Sequence, residues 1–253
     1  MKYISTSLLM LLILANVFGQ ISSKEQLNIP AVTKAITCVE DFNGDQVPDL
    51  LISGFDGQAF THRVYKNEKG EFATNNYSTI EVQGQTLSAH AIDYNNNGLL
   101  DVLLSSINNG IATVGIYENK GNVFKKLPSV LDAFAFDSLI SFPINYNQDL
   151  YTDFIIFGRN GKNSSVILFE NTNGVAFLEH KLSLGNNPRL DFSISKSKTT
   201  NQPQILWSEN LNSVASTSLY EISPTGLLIA QKAKVPSIIG KTLMQAFEQV
   251  YRL

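Results

Sequence analysis

Residues 41–54 read DFNGDQVPDLLISG, and two later stretches repeat this pattern without gaps. Residues 93–106 read DYNNNGLLDVLLSS and residues 145–158 read NYNQDLYTDFIIFG. The copies begin at residues 41, 93 and 145, so the repeating unit is 52 residues long. In each copy a loop of carboxylate and amide side chains leads into an apolar run of strand length. An internal period of this size is typical of repeat architectures.

A second signature recurs in the same register: an aromatic residue, an Asn two positions later, then Gly and Phe. It occupies residues 65–72, 117–124 and 169–177. A fourth copy is worn, because it keeps an apolar strand at 205–207 but has no carboxylate in residues 196–204. A fifth copy begins at residues 245–248, where QAFE stands in the place of HAID in the second copy. The pattern therefore decays along the chain.

The unit has room for about four short strands, which is the size of one propeller blade. Its Asn-x-x-Gly stretches predict tight turns, because Asn and Gly tolerate positive φ. Helical periodicity is absent apart from a weak pattern at 243–250. We therefore expect an all-β fold of blades with four antiparallel strands, about four blades and the start of a fifth, which is an incomplete propeller. The repeats are expected near residues 35–86, 87–138, 139–190 and 191–241.

The loops place oxygen donors at every second position, which allows a tightly curled loop to direct them at one centre. Hard oxygen ligands of this kind suit Ca²⁺. The expected ligands of the first loop are Asp41, Asn43, Asp45, Asp49 and the carbonyl of Val47. Those of the second loop are Asp93, Asn95, Asn97 and Asp101, and those of the third are Asn145, Asn147, Asp149 and Asp153. The alternative is that these loops are Asx-rich turns that cap strands without metal.

The copies are not expected to bind calcium equally. The first loop offers three carboxylates, and the second and third offer two each. The third also lacks glycine at both turn positions, where Gln148 and Leu150 stand. The fourth is expected to bind nothing, since its donor positions hold Lys196, Lys198, Thr200, Gln202 and Gln204. Where calcium binds the folded chain, it should raise the melting temperature.

These motifs resemble the FG-GAP/VCBS repeat family, which includes the N-terminal β-propeller of integrin α chains and the T-cell immunomodulatory protein. The resemblance covers roughly residues 35–230 and is closest in the first two copies. It implies a propeller with calcium in the loop between the first two strands of a blade. By motif position it adds the carbonyls of Leu99 and Tyr151 to the expected ligands. The chain departs from the family in the reversed places of Gly44 and Gln46, and in having fewer blades than the usual seven or so.

The first residues are typical of an export signal, with Lys2 before an apolar stretch and small residues near residue 19. We expect a signal peptide at 1–19 and a mature chain at 20–253 that has no membrane span and is secreted or lies at the cell surface. An uncleaved membrane anchor is the alternative. Asn76 and Asn163 begin N-glycosylation sequons. The single cysteine, Cys38, is expected to be a small buried residue.

The sequence favours a binding module over an enzyme. His62, His90 and His180 lie at different repeat positions, without a Cys, Ser or Asp partner at motif spacing. A net charge of −3 argues against a nucleic-acid partner. We expect an extracellular protein or glycan ligand, held by blade-end loops. The alternative is an accessory or lectin-like domain of a secreted polysaccharide-acting protein. With so few blades, we expect a fragment of a longer propeller, a small closed ring, or pairing with another chain to complete the ring.

Overall fold

The computed structural model describes residues 29–121, 123–128, 136–161, 163–174, 176–182, 190–211 and 214–231. Within these ranges sixteen strands form four sheets, each of four antiparallel strands. The same ranges contain no helix. The predicted all-β fold of four-stranded blades is confirmed. The same ranges contain no closed propeller ring. They also contain no helix that is long and apolar enough to cross a membrane.

Each sheet is one blade, and its strands lie side by side in chain order. Blade 1 consists of β1 (Thr33–Glu40), β2 (Asp49–Phe55), β3 (Phe60–Glu68) and β4 (Glu71–Thr79). Blade 2 consists of β5 (Gln85–Ile92), β6 (Asp101–Asn108), β7 (Ile111–Asn119) and β8 (Phe124–Lys126). Blade 3 consists of β9 (Ser138–Ile144), β10 (Asp153–Asn160), β11 (Asn163–Thr172) and β12 (Ala176–Leu182). Blade 4 consists of β13 (Leu190–Lys196), β14 (Pro203–Leu211), β15 (Val214–Ile222) and β16 (Leu228–Gln231).

Three features predicted from the sequence lie outside the described residues. They are the signal peptide at 1–19, the weak helical pattern at 243–250 and the fifth copy at 245–248. The fold therefore rests on the four blades alone.

The second strand of blade 3 shows how the blades pack. Phe154, Ile155, Ile156 and Phe157 are each at most 6% exposed. Successive side chains of a strand point to opposite faces. Phe154 and Ile156 accordingly join the cluster shared with blade 2, and Ile155 and Phe157 join the cluster shared with blade 4. The continuous apolar run is explained by burial on both faces, because hydrophobic burial is what holds successive blades together.

The first strands of blades 1, 2 and 3 lie next to each other, with β1 beside β5 and β5 beside β9. Buried hydroxyl groups bridge these junctions. Between blades 2 and 3, Ser88 Oγ lies 3.1 Å from Ser141 Oγ and accepts the Ser141 N–H at 3.0 Å. Between blades 1 and 2, the hydroxyls of Ser53 and Thr86 are in contact. The blades are therefore joined by polar bridges as well as by apolar packing.

Candidate functional site

The predicted donor residues lie in the connections between the first and second strands of the blades. We call these connections loop 1 (residues 41–48), loop 2 (93–100), loop 3 (145–152) and loop 4 (197–202). Because neighbouring strands are antiparallel, the turns between the third and fourth strands lie at the same end of each blade. One end of every blade thus carries both motifs that recur in the sequence.

The aspartate that follows each of the first three loops is buried and holds the loop to the third strand. Asp49, Asp101 and Asp153 are at most 1% exposed. In blade 2, Asp101 Oδ2 accepts the N–H of Tyr94 at 3.2 Å and Oδ1 accepts the N–H of Asn119 at 2.8 Å. The equivalent bonds in blades 1 and 3 measure 2.9–3.2 Å. The two recurring motifs are therefore joined through one carboxylate in each blade.

Burial makes these carboxylates unusually basic. Burial raises the pKa of Asp101 to about 6 and that of Asp153 to about 7, although backbone N–H groups lower both in part. The pKa of Asp49 is raised for the same reason. Neighbouring acidic residues, such as Asp93 for Asp101, raise these pKa values further. A cation in the loop would offset this desolvation and repulsion, so the carboxylates suit one.

Loop 1 is curled by its own side chains. Asp41 Oδ2 accepts the N–H of Gln46 at 2.7 Å. Asn43 Oδ1 accepts the N–H of Asp45 at 2.9 Å, and Asp45 Oδ1 accepts the N–H of Val47 at 2.8 Å. The bonds of Asn43 and Asp45 are Asx turns at alternate positions. An ionised carboxylate has about four lone-pair sites. Asp41 accepts three N–H bonds, from Gly44, Asp45 and Gln46, and Asp45 accepts one, so both retain capacity for a cation.

Loop 2 repeats the geometry of loop 1. Asp93 Oδ2 accepts the N–H of Gly98 at 2.8 Å, and Asn97 Oδ1 accepts the N–H of Leu99 at 2.8 Å. Within the described residues no three His, Cys, Asp or Glu side chains gather closely enough to hold a metal ion. A cation in these loops would therefore depend on Asn side-chain and main-chain oxygens as well as on carboxylates.

Loop 3 is built differently. Asn145 and Asn147 donate through Nδ2 to the main-chain and side-chain oxygens of Asp149, at 2.7 and 2.8 Å. Asn145 Oδ1 is buried and has no hydrogen-bond partner. A buried amide oxygen without a donor is costly, and a bound cation would satisfy it. The residues of loop 3 therefore fit a cation in chemistry, with one oxygen left free for it.

The turn positions of loop 3 also differ from those of loops 1 and 2. Gln46 and Gly98 occupy the sixth loop position with φ of +69° and +84°. Leu150 occupies that position in loop 3, is 75% exposed and is not among the residues with positive φ. The lack of glycine noted in the sequence thus coincides with a different backbone path.

Loop 4 is shorter than the donor series of the fourth copy suggested, because the ladder of its first two strands continues one pair further. Lys196, expected at the first donor position, is the last residue of β13 and pairs with Pro203 of β14. Ser197 follows the first strand instead, as Asp41 does in blade 1, and its Oγ accepts the N–H of Thr200 at 3.2 Å. The loop has six residues where the first three have eight. The alternating series read from Lys196 to Gln204 is therefore not formed, because the loop is shorter.

The Asn of the second motif reaches a neighbouring blade, a contact that the sequence analysis did not predict. In blade 2, Asn119 Nδ2 donates to Leu100 O of its own loop at 3.0 Å and to Phe42 O of loop 1 at 2.6 Å. In blade 3, Asn171 Nδ2 donates to Thr152 O at 3.1 Å and to Tyr94 O of loop 2 at 2.6 Å. We call these side chains the interblade amides. The fixed 52-residue spacing of Asn119 and Asn171 is the signal that could have revealed them.

Blade 4 keeps this contact with a different residue. Ile222, the last residue of β15, stands where the other blades have Asn. Gln202, which is 4% exposed, reaches the same place from loop 4. With its amide nitrogen facing the carbonyls, it donates to Tyr146 O of loop 3 at 2.7 Å and to Ile222 O at 3.0 Å. Gln202 is therefore the third interblade amide.

The three histidines lie in different surroundings. Ser53 Oγ lies 2.6 Å from His62 Nδ1, and Thr86 Oγ1 lies 3.0 Å from the same nitrogen. Sequence spacing missed this partner, because Ser53 and His62 meet across the β2–β3 ladder. Both are at most 2% exposed, and burial lowers the pKa of His62 to about 4. His180 Nε2 contacts Glu170 Oε2 at 3.0 Å, and His90 lies against the ring of Phe142.

The remaining predicted residues lie at the surface or near it. Cys38 is half-buried at the edge of the cluster between blades 1 and 2, so the expectation of full burial was wrong. Burial nevertheless raises the pKa of its thiol. Asn163 is exposed at the start of β11. Asn76 lies in β4 and donates to Glu68 Oε1 at 2.6 Å. Use of the two sequons stays a prediction.

A groove of about 620 Å³ opens between blades 1 and 2, at the opposite end from the four loops. Lys34, Phe60, Gln85 and Asn108 are among its lining residues. Gly84 closes its floor, since with φ of +87° it brings the β4–β5 connection so near the end of β6 that a Cβ would overlap the Ile107 carbonyl. The volume lies within the range of small-molecule sites.

The model of the FG-GAP-like repeat family matches residues 41–104. This stretch runs from the start of loop 1 to the middle of β6, and so contains the first two donor loops. No curated protein matches the chain. Residues 41–104 are therefore similar to the FG-GAP-like repeat, and the resemblance predicted from the loop and strand motifs is confirmed over this stretch.

Proposed function

We propose that this protein is a secreted, calcium-stabilised recognition module of the β-propeller type. An FG-GAP-like repeat suggests a recognition domain of that kind. The observation that supports calcium is the recurrence of one donor series at the same end of three successive blades, with a buried aspartate closing each. Secretion is supported by the signal-like character of residues 1–19.

The residues that would hold calcium are those predicted from the sequence. They are Asp41, Asn43, Asp45, the Val47 carbonyl and Asp49 in blade 1, Asp93, Asn95, Asn97, the Leu99 carbonyl and Asp101 in blade 2, and Asn145, Asn147, Asp149, the Tyr151 carbonyl and Asp153 in blade 3. The ion would supply positive charge to buried carboxylates and occupy the free Asn145 oxygen. Its role is structural: the loops are held in their folded form.

Thermal melting of the mature chain in calcium and in chelator tests this proposal. At a calcium concentration about fifty times Kd, one site stabilises the folded state by about 2 kcal/mol. For a chain of this length that corresponds to a rise of roughly 4–8 °C in Tm. The double variant Asp41→Asn/Asp45→Asn should lose much of the rise. Thr200→Ala in loop 4 is the matched control and should keep it. Equal melting curves in calcium and chelator would refute calcium stabilisation.

For the ligand we propose an extracellular protein or glycan. Loops on a rigid scaffold usually carry binding residues, and the groove between blades 1 and 2 is bounded by such segments. The lining is rich in amides and includes the ring of Phe60 and a single positive charge, Lys34. Amides both donate and accept hydrogen bonds, as recognition of neutral hydroxyl groups requires. Among the proposed ligands this composition favours a glycan, and so it favours the alternative of a lectin-like domain.

A glycan array with the calcium-loaded chain tests the lectin-like alternative, with Asn108→Ala as the groove variant and Asn163→Ala as a distant surface control. Binding lost in the first variant and kept in the second would support it. An activity screen against polysaccharides separates a binding module from an enzyme. We expect no turnover, because the Ser53–His62 pair is sealed from solvent and its third member is the hydroxyl of Thr86. Any turnover would contradict the binding-module proposal.

A further inference from the structure

We infer that each cation loop is positioned by the interblade amide of the following blade. Asn119 of blade 2 positions loop 1, Asn171 of blade 3 positions loop 2, and Gln202 of blade 4 positions loop 3. Asn119 and Asn171 direct only their amide nitrogen at the loop that they position, whereas the side-chain oxygen of Gln202 also accepts the Gln148 Nε2–H of loop 3. The inference concerns the folded form of the loops, and its calcium arm rests on the proposed function.

The first step concerns Asn119 and Asn171, whose side-chain amides use both of their N–H donors. Asn119 is 2% exposed and Asn171 is 1% exposed. Each Nδ2 has two hydrogens, of which one goes to its own loop and one to the preceding loop. Each Oδ1 accepts a glycine N–H in the turn that follows, from Gly121 at 3.0 Å and Gly174 at 2.9 Å. No spare capacity remains on Nδ2, so the contact with the preceding loop is a defined feature of the fold.

The second step is the identity of the carbonyl that the amide holds. Phe42 O belongs to the residue between two expected ligands, Asp41 and Asn43. The N–H of Phe42 is bound by Asp49 at 3.1 Å. Both polar groups of Phe42 are thus fixed, one by its own blade and the other by Asn119. Fixing this residue from both sides limits the backbone torsions that aim the two flanking donors.

The third step is the close packing of blade 3 against loop 2. Gly174, in the turn after β11, lies so close that a Cβ would be 2.8 Å from Asn95 Cα. Thr152 Oγ1 also donates to Asp93 O at 3.4 Å. Loop 2 is therefore held by blade 3 at Asp93, Tyr94 and Asn95 in succession. These are the first three residues of loop 2, and two of them, Asp93 and Asn95, are expected ligands.

Hydrogen exchange of the mature chain, read by mass spectrometry on peptides that cover loops 1 and 2, tests the inference. Asn119→Ala should speed exchange in loop 1 by about three- to tenfold, the value of one lost hydrogen bond. Asn171→Ala is the matched variant, because it removes the equivalent interblade amide from blade 3. It should speed exchange in loop 2 and leave loop 1 unchanged, which excludes general loosening as the cause. Equal responses of loop 1 to the two variants would overturn the inference.

Repeating the exchange in calcium separates this inference from the proposed function. If calcium slows exchange in loop 1 of the unmodified chain, Asn119→Ala should raise the calcium concentration needed by about three- to tenfold, and Asn171→Ala should not. If calcium has no effect, the proposed function fails, and the metal-free comparison still decides the inference. If calcium acts on both variants alike, positioning by Asn119 is refuted.

Discussion

Blades 3 and 4 are neighbours with the same strand order, yet their loop ends are built from different residues. Blade 3 joins its loop to its third strand through Asp153 and Asn171. Blade 4 has Gln204 and Ile222 at the corresponding places, and Gln202 makes the contact with the preceding blade. The donor series is lost in blade 4 while the interblade bond is kept. The comparison teaches that cohesion between blades and cation binding are separable properties of the same loop.

The largest effect expected from this comparison is at Asp153. Asp153→Ala leaves the buried N–H groups of Tyr146 and Asn171 without an acceptor, and should lower the free energy of unfolding by about 3–5 kcal/mol. Gln204→Ala, at the corresponding position of blade 4, should cost less than about 1 kcal/mol. Urea denaturation in chelator measures both.

Asp153→Asn provides a second reading if the alanine variant does not fold. It retains one acceptor oxygen and should give roughly half the loss. Similar losses for Asp153→Ala and Gln204→Ala would show that the buried carboxylate is not what distinguishes the two blades.

A smaller effect is expected at Gln202. Gln202→Ala leaves Tyr146 O and Ile222 O without this donor, and should cost about 2–3 kcal/mol. Asn171→Ala, which removes the interblade amide of blade 3, should cost a similar amount. Chemical denaturation of the two variants under the same conditions makes the comparison. A loss near zero for Gln202→Ala alone would mean that blade 4 does not replace the missing Asn.

The smallest effect concerns two turn glycines. Gly121 and Gly174 both have positive φ, so alanine at either position should cost about 1 kcal/mol. Gly121 has open space around it, whereas a Cβ on Gly174 would meet Asn95. Gly174→Ala should therefore destabilise the chain by about 1 kcal/mol more than Gly121→Ala. Thermal melting resolves this difference, and equal Tm values would show that blade 3 does not press on loop 2.

The sequence predicted the features that are local or periodic. The 52-residue spacing gave the four blades, and the apolar runs gave the second strands. Phe154–Phe157 is buried on both faces because blade 3 lies between blades 2 and 4, and a continuous apolar run is typical of such a strand. The donor loops were found for the same reason, since each is a short continuous segment.

Contacts between distant parts of the chain were missed. Asn119 and Phe42 are 77 residues apart, and so are Asn171 and Tyr94. Within its own motif each Asn looks like a turn residue, because its role depends on a carbonyl in another blade. The shortness of loop 4 was missed because the β13–β14 ladder runs one pair further than in the other blades, to Lys196 and Pro203, and nothing in the worn sequence marks this. The Ser53–His62 contact arises from cross-strand pairing and has no fixed sequence spacing.

The interblade amides give the array a direction. Each one donates to the loop of the preceding blade, so a substitution that removes the amide affects that loop as well as its own blade. Excising blade 1 would leave loop 2 with its bond from Asn171. Excising blade 4 would deprive loop 3 of its bond from Gln202. Removing blades from one end of the array therefore leaves a loop without its interblade bond, whereas removing them from the other end does not.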